Sequence, residues 1–248
     1  MPSPLIVTFV TEDYIAVTAN WLRAMDALRL DAPIRVITLD DASRSAFPAA
    51  RTLHAPLSAS DLGALWVHRV AVIRALLAEG HDVIHSDSDA LWVGDPLPLI
   101  AACDADMVFS QGTVWPPDVH ARHGLVLCCG LFRLRTTPAV ADFMATVESR
   151  LALDRDDQVS LNRLLDEAGL RWTLREPYRI PFRDTEIVAS REIIQAAAGD
   201  HPSVAVLPHH LFPRLVERLD PDVLVAHPLC GKTRTEKQAT LSTLGLWR

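Results

Sequence analysis

The chain has 248 residues, 49 % of them hydrophobic and 22 % charged, which are the proportions of an ordinary globular protein and exclude disorder or collagen-like repetition. Its 24 basic residues against 31 acidic ones leave a formal charge of −7, which argues against a nucleic-acid partner held by phosphate neutralisation. No apolar run reaches the ~18 residues that span a bilayer, and the opening MPSPLIVTFV lacks the layout of a signal peptide, so a cytoplasmic protein with no transmembrane segment is expected.

Leu5–Val10 reads as a first strand ending in the polar turn Thr11–Tyr14. Ile15–Leu30 carries apolar residues at helical spacing (Trp21, Leu22, Met25, Leu28) and stops at Asp31-Ala32-Pro33. Ile34–Leu39 is a second strand of core type. Asp61–Ala78 is a long helix with Asp61 as N-cap and Gly80 as terminator. Asp82–His85 reads as a strand, followed by Ser86-Asp87-Ser88-Asp89, a short apolar segment Ala90–Val93, and the stop Gly94-Asp95-Pro96. Asp106–Ser110 is another strand, and Gly124–Arg135 holds one or two more around Gly130. Pro138–Leu151 and Gln158–Glu167 are helical. Past residue 170 the pattern loosens into short strands and Pro-rich loops, ending in a loop over Ala226–Thr235 and a final apolar stretch. Strands alternating with helices predict an α/β fold, a mixed, mostly parallel sheet flanked by helices. With no repeats and no long linker, one domain over 1–248 is expected.

The strongest chemical signal is Asp87-Ser88-Asp89 at the carboxyl end of a buried strand, where ligands gather in open α/β sheets. Two carboxylates so placed repel each other, and a hard divalent cation such as Mn²⁺ or Mg²⁺ resolves the conflict; a solvated acidic turn is the bland alternative. His227 follows the strand Val223–Ala226 and offers an imidazole as a third ligand. His54, His81, His120, His123, His201, His209 and His210 read as structural. In Asp156-Asp157-Gln158 one aspartate caps a helix, or one turns into the crevice to hold a hydroxyl. Cys103, Cys128, Cys129 and Cys230 lack Cys-x-x-Cys spacing and read as buried reduced thiols.

Taken in order, VTFVTEDY, an arginine on a helix, HSDSDALWVGDP, CCGLF, DDQVSLN and HPLCGK resemble the nucleotide-diphospho-sugar transferases. These are GT-A-fold glycosyltransferases of the glycogenin-like and plant arabinosyltransferase-like retaining groups, and the resemblance runs from residue 5 to about 240. It implies a Rossmann-like GT-A domain whose nucleotide half is about 1–96 and whose acceptor half is about 97–248. The donor would be a nucleotide sugar, a UDP-sugar first of all, and the acceptor a glycan, peptide or small molecule. By the same resemblance Thr8, Val10, Thr11 and Tyr14 hold the nucleoside, with Tyr14 stacked on the base. Arg69, Ser88, Gly130 and Asp87 contact the donor, while Asp87, Asp89 and His227 bind Mn²⁺ or Mg²⁺. Lys232 neutralises the departing phosphate, with Lys237 as its substitute because the His-to-Lys spacing is one residue off. Asp157 and Gln158 stand beside the anomeric carbon as the catalytic pair. Cys128-Cys129-Gly130 departs from the Asn-Ser-Gly or Asn-Thr-Gly of relatives, so the sugar's identity does not carry over. No Glu nucleophile can be named, which favours a front-face route in which the diphosphate helps deprotonate the acceptor. Two other readings stand beside this one: a catalytically silent sugar-nucleotide-binding protein, and a haloacid-dehalogenase-like phosphatase with Asp87 as covalent nucleophile.

Overall fold

The computed structural model describes residues 3–57, 61–197, 201–231 and 233–248. In chain order the elements are β1 (Leu5–Val10), α1 (Ile15–Leu28), β2 (Ile34–Thr38), α2 (Asp41–Ala46), β3 (Thr52–His54), α3 (Leu62–Ala78), β4 (Val83–Ser86) and β5 (Leu91–Trp92). Then come α4 (Leu97–Ala101), β6 (Met107–Gln111), α5 (Pro117–His123), β7 (Leu127–Leu134), α6 (Pro138–Asp154), α7 (Asp157–Glu167) and β8 (Arg171–Thr173). The chain finishes with β9 (Pro177–Phe182), β10 (Thr185–Ser190), β11 (Ile194–Ala197), β12 (Val204–Val206), β13 (Val225–Ala226) and α8 (Arg234–Thr243).

Nine strands form one sheet in the order β3-β2-β1-β4-β7-β6-β12-β11-β8. β1 to β4 are parallel, β7 and β11 run against their neighbours, and the remaining strands keep the direction of β1. This is the mixed, mostly parallel sheet expected. Alternation along each strand feeds two cores. Val7, Ile37, Met107 and Phe109 pack with Val70 and Ile73 of α3, Val140 and Met144 of α6, and Leu161 of α7. Ile6, Val36, Ile84 and Val108 face the other way, onto Trp21 and Met25 of α1 and Leu241 of α8. Burial on both faces is why β1, β2 and β4 read as continuous apolar runs rather than alternating ones.

Local chemistry sets the helix ends as the sequence suggests. The Asp61 carboxylate accepts from the Ala64 amide at 2.9 Å to open α3, and Gly80, at φ 91, supplies the left-handed residue after it. Gly124–Arg135 contains one eight-residue strand, β7, running through Gly130, within the one or two expected, and Gly124 ends α5 at φ 70. One expectation about the elements is corrected. The expected loop over Ala226–Thr235 gives way at Arg234 to α8, opened by a capping box between Thr233 and Glu236. Among the described residues no helix is long and apolar enough to cross a membrane.

Candidate active site

β4 is buried at every position and delivers Asp87 just past its carboxyl end. The Ser86 hydroxyl fixes the turn that follows, accepting from Trp21 Nε1 at 3.2 Å and Trp92 Nε1 at 3.1 Å. The Asp87 amide donates to the Gly130 carbonyl at 2.7 Å, tying the acidic turn to the middle of β7. β5 then pairs antiparallel with β13, Ala226 opposite Leu91, and this short ladder carries His227 back beside the turn. As a result Asp87, Asp89 and His227 each offer a ligand atom within 4.8 Å of the others. His227 Nε2 stands 3.3 Å from Asp89 Oδ1 and 4.0 Å from Asp87 Oδ2. Two carboxylates and an imidazole form a donor set suited to a borderline or hard divalent cation, so these residues fit a metal centre.

Gly130 is required here by space. A Cβ at this position would lie 2.1 Å from His227 Cε1 and 2.7 Å from Asp87 Oδ2, closer than any side chain allows.

Arg69, buried on α3, joins this trio to a third carboxylate. Its Nη1 donates to Asp87 Oδ1 at 3.1 Å, its Nε donates to Asp157 Oδ2 at 2.9 Å, and Nη2 reaches the same Asp157 oxygen. Asp156, one residue earlier, caps α7 by accepting from the Val159 amide at 3.0 Å, so capping belongs to Asp156 and Asp157 is left for the cleft. Gln158 is held at both ends of its amide: Oε1 accepts from Cys129 N at 3.2 Å and Nε2 donates to the Trp115 carbonyl at 2.6 Å.

The charges settle as this packing dictates. Burial pushes the Asp87 and Asp89 carboxyls up, but His85 and Arg69 around the first, and His227 and Lys237 around the second, hold both well below the usual carboxylate range. Burial pushes Asp157 up, and Arg69 draws it back only in part. His227 is lowered by burial and by Arg214, yet Asp89 outweighs both and leaves its pKa raised. Cys128 Sγ sits 3.8 Å from His227 Nδ1; burial raises this thiol, while Arg214 and His227 bring it down to about 7. Lys237, from α8, is ion-paired to Asp89 and lies 5.7 Å above the Tyr14 ring.

These groups border two adjoining hollows. One, of about 310 Å³, is lined by Phe9, Thr11, Tyr14, Leu57, Trp66 and Ser88. The other, of about 590 Å³, is lined by Trp115, Cys128, Gly130, Gln158, Arg214 and Cys230. Tyr14, Arg69, Asp87, Asp89 and Lys237 face both. Of the residues singled out in the sequence, Thr11, Tyr14, Arg69, Asp87, Ser88, Asp89, Gly130, Asp157, Gln158 and His227 therefore converge on one cleft. Thr8 and Val10 do not: their side chains are fully buried in the sheet, and Phe9 between them faces the hollow instead. Lys232 lies outside the described residues, whereas its substitute Lys237 is in place. Sequence reasoning passed over His85, whose Nε2 is 3.0 Å from Asp87 Oδ1, and Arg214. His85 had a signal, since residues two apart on an extended chain share a face and Asp87 follows at that spacing. Arg214 had none, because it sits in irregular chain.

The nucleotide-diphospho-sugar transferase family pattern matches residues 59–238. An active-site mutant of LgtC aligns with a TM-score of 0.58 at 13 % identity, covering 98 % of this chain and 96 % of that one. The galactosyltransferase LgtC in complex with donor and acceptor sugar analogues aligns at 0.50 and 16 % identity over 64 % of this chain and 70 % of that one. The glycosyltransferase GlyE of Streptococcus pneumoniae gives 0.47 at 14 % identity over 66 % and 43 %. No curated protein sequence matches significantly. At such identities LgtC speaks for a shared GT-A fold, while the family match spans most of the chain. The chain belongs to the nucleotide-diphospho-sugar transferase family.

Proposed function

We propose that this glycosyltransferase moves a sugar from a UDP-sugar to an acceptor hydroxyl with retention, using Mn²⁺ or Mg²⁺ held by Asp87, Asp89 and His227. The observation that carries the reading is the meeting of those three side chains, from two separated segments, at the rim of a cleft that also holds the Arg69–Asp157 pair. A divalent cation at that point offsets the negative charge of the donor's diphosphate. Tyr14 and Thr11 border the smaller hollow and hold the nucleoside, the Tyr14 ring against the base; residues of about 1–96 serve mainly the nucleotide and those of about 97–248 the acceptor, with His227 and Lys237 reaching back to the diphosphate. Lys237 takes the neutralising role expected of Lys232, because its ammonium already lies beside Asp89 and Tyr14. Asp157 and Gln158 line the larger hollow and bear on the sugar: Asp157 supplies negative charge toward an electron-poor anomeric carbon, and Gln158 is locked in place by Cys129 and Trp115.

Asp157 is committed to Arg69 and is a poor candidate for a free nucleophile, which favours the front-face route. There the bond from the anomeric carbon to the diphosphate breaks, the acceptor oxygen bonds to the same face, and the acceptor's proton passes to the departing diphosphate. The phosphatase reading is set aside by the family to which the chain belongs. The test is UDP release from a panel of UDP-sugars with Mn²⁺, repeated in excess EDTA. Turnover that is lost with the chelator is expected. Release from no UDP-sugar, or full release in EDTA, overturns the reading, and UDP binding without turnover returns the protein to a sugar-nucleotide binder.

A further inference from the structure

Arg214 is the anomaly of the larger hollow. Its backbone is well anchored: the amide donates to His209 Nε2 at 3.2 Å, and its carbonyl accepts from the Leu229 amide at 3.2 Å. The accepting His209 ring is neutral, since burial pulls its pKa down to about 4. The guanidinium is not anchored. Nε and Nη1 are buried with no hydrogen-bond partner among the described residues, and no described carboxylate lies within ion-pairing distance.

The two buried arginines among the described residues are better served. Arg69 has two carboxylates, and Arg133 donates through its terminal nitrogens to the carbonyls of Ile100, Cys103 and Ala105, although its Nε also lacks a partner. A half-buried guanidinium with no carboxylate beside it is available to pair with an anion that reaches it. Arg214 lines the larger hollow, so a ligand bound there can reach it; on its protein side it faces the Cys128 thiol, whose pKa it helps to lower. Its planar fork of donors matches a carboxylate or a phosphate.

We propose that Arg214 recognises an anionic group, a carboxylate or a phosphate monoester, carried by one of the two sugars that meet in the larger hollow. The sugars themselves rest on the proposed function. The diphosphate is served elsewhere. Arg69 and Lys237 face both hollows beside the acidic turn, whereas Arg214 faces only the larger one, on the side of Cys128, Cys230 and the far ring nitrogen of His227. A neutral hexose would offer this guanidinium hydroxyl acceptors alone. An oxyanion would give charge-assisted hydrogen bonds, worth about tenfold or more in affinity.

The experiment measures dissociation constants by calorimetry with Mn²⁺ present, for the wild type, Arg214→Met and Arg214→Lys. The probes are UDP, the donor pair UDP-glucuronate and UDP-glucose, and a sugar set of methyl glucuronide, glucose 6-phosphate and methyl glucoside. Binding of the anionic member at least tenfold tighter than the neutral one is expected in one set. That preference should vanish in Arg214→Met and return in part in Arg214→Lys, while UDP binding stays within twofold. A preference in the donor pair assigns the anion to the transferred sugar, and one in the second set assigns it to the acceptor. Equal binding within both sets by the wild type overturns the proposal, even if Arg214→Met fails to fold. So does a preference that survives Arg214→Met, or a tenfold loss of UDP affinity in that variant, which would give Arg214 to the diphosphate. A wild type that does not bind UDP strikes at the proposed function alone, and the second set on the free protein still decides the role of Arg214.

Discussion

Replacing Lys237 with methionine removes the ammonium from Asp89 and keeps the length of the side chain. In the metal-free protein the two groups form an ion pair with side chains 14 % and 9 % exposed, so solvent screens it little. Breaking such a pair from one side costs about 3–5 kcal/mol. His227, 3.3 Å from the other Asp89 oxygen, can take up a proton and recover part of this, which leaves a net loss of about 2 kcal/mol. For a chain of this size that is a fall in Tm of about 4–8 °C. The same ammonium competes with a cation for Asp89, and a coupling of about 2 kcal/mol corresponds to roughly thirty-fold in affinity. Lys237→Met should therefore melt earlier without metal, bind Mn²⁺ at least tenfold tighter by calorimetry, and gain more from Mn²⁺ in a thermal melt than the wild type does. Turnover should fall, because the cation proposed to meet the diphosphate is gone. Damage to the fold would not tighten metal binding. A folded Lys237→Met protein with unchanged or weaker Mn²⁺ affinity would refute the competition.

Gly130→Ala places a methyl 2.1 Å from His227 Cε1 and should abolish Mn²⁺ binding while circular dichroism stays close to that of the wild type; retained affinity would show that His227 is dispensable. Asp157→Asn removes the charge facing Arg69 and leaves the Asp156 cap intact, so kcat should drop about 10²-fold with UDP affinity nearly unchanged, on the scale of a lost preorganised partner. Wild-type turnover in that variant sinks the role of Asp157. His227 carries a raised pKa, so its contribution to metal-free stability is full below its unfolded value near 6.5 and is lost as pH rises through the raised value. A cation needs the neutral ring, so Mn²⁺ affinity should weaken as pH falls from 8 to 6, approaching about tenfold per unit below that pKa. Asp87 and Asp89 have depressed pKa values and lose their contribution only below about pH 4, outside this window, and Cys128→Ser removes the neighbouring thiol that titrates inside it, so a flat profile between 8 and 6 in that variant would remove His227 from the ligand set.

What the sequence made legible was whatever is decided within a few residues. Continuous apolar runs marked β1, β2 and β4, Asp61 and Gly80 marked the ends of α3, and two carboxylates after a core strand marked the site. What it left open depends on distant pairing. His227 is legible as a third ligand at the end of a strand, but the two-residue ladder of β5 and β13 that carries it to the acidic turn is not. The choice between Asp156 and Asp157 turned on one residue of helix phase, and only the observed bond to the Val159 amide decides it. The resemblance places Thr8 and Val10 in the nucleotide site, yet strand alternation buries both on one face of the sheet and leaves Phe9, on the other face, to line the hollow. The polar sequence of α8 masked its helix, although Thr233 and Glu236 spell a capping box that could have found it.

The site is ordered before any ligand arrives because its carboxylates are already bound to cations of the chain. Asp87, Asp89 and Asp157 face Arg69 and Lys237, which leaves one negative charge while the His227 ring is neutral. Ligands held this way need little reorganisation to accept a dication, and the ammonium that leaves Asp89 stays within reach of the diphosphate that the cation attracts. Arg69 makes the arrangement a unit, since one guanidinium holds Asp87, proposed as a metal ligand, and Asp157, proposed to face the sugar, at once. Losing Asp157 should thus be felt at Asp87, and the two should show non-additive effects on Mn²⁺ affinity when mutated together. Arg214 stands outside this compensated group on the far side of His227, the one place in the larger hollow where the described residues leave a guanidinium for the substrate to complete.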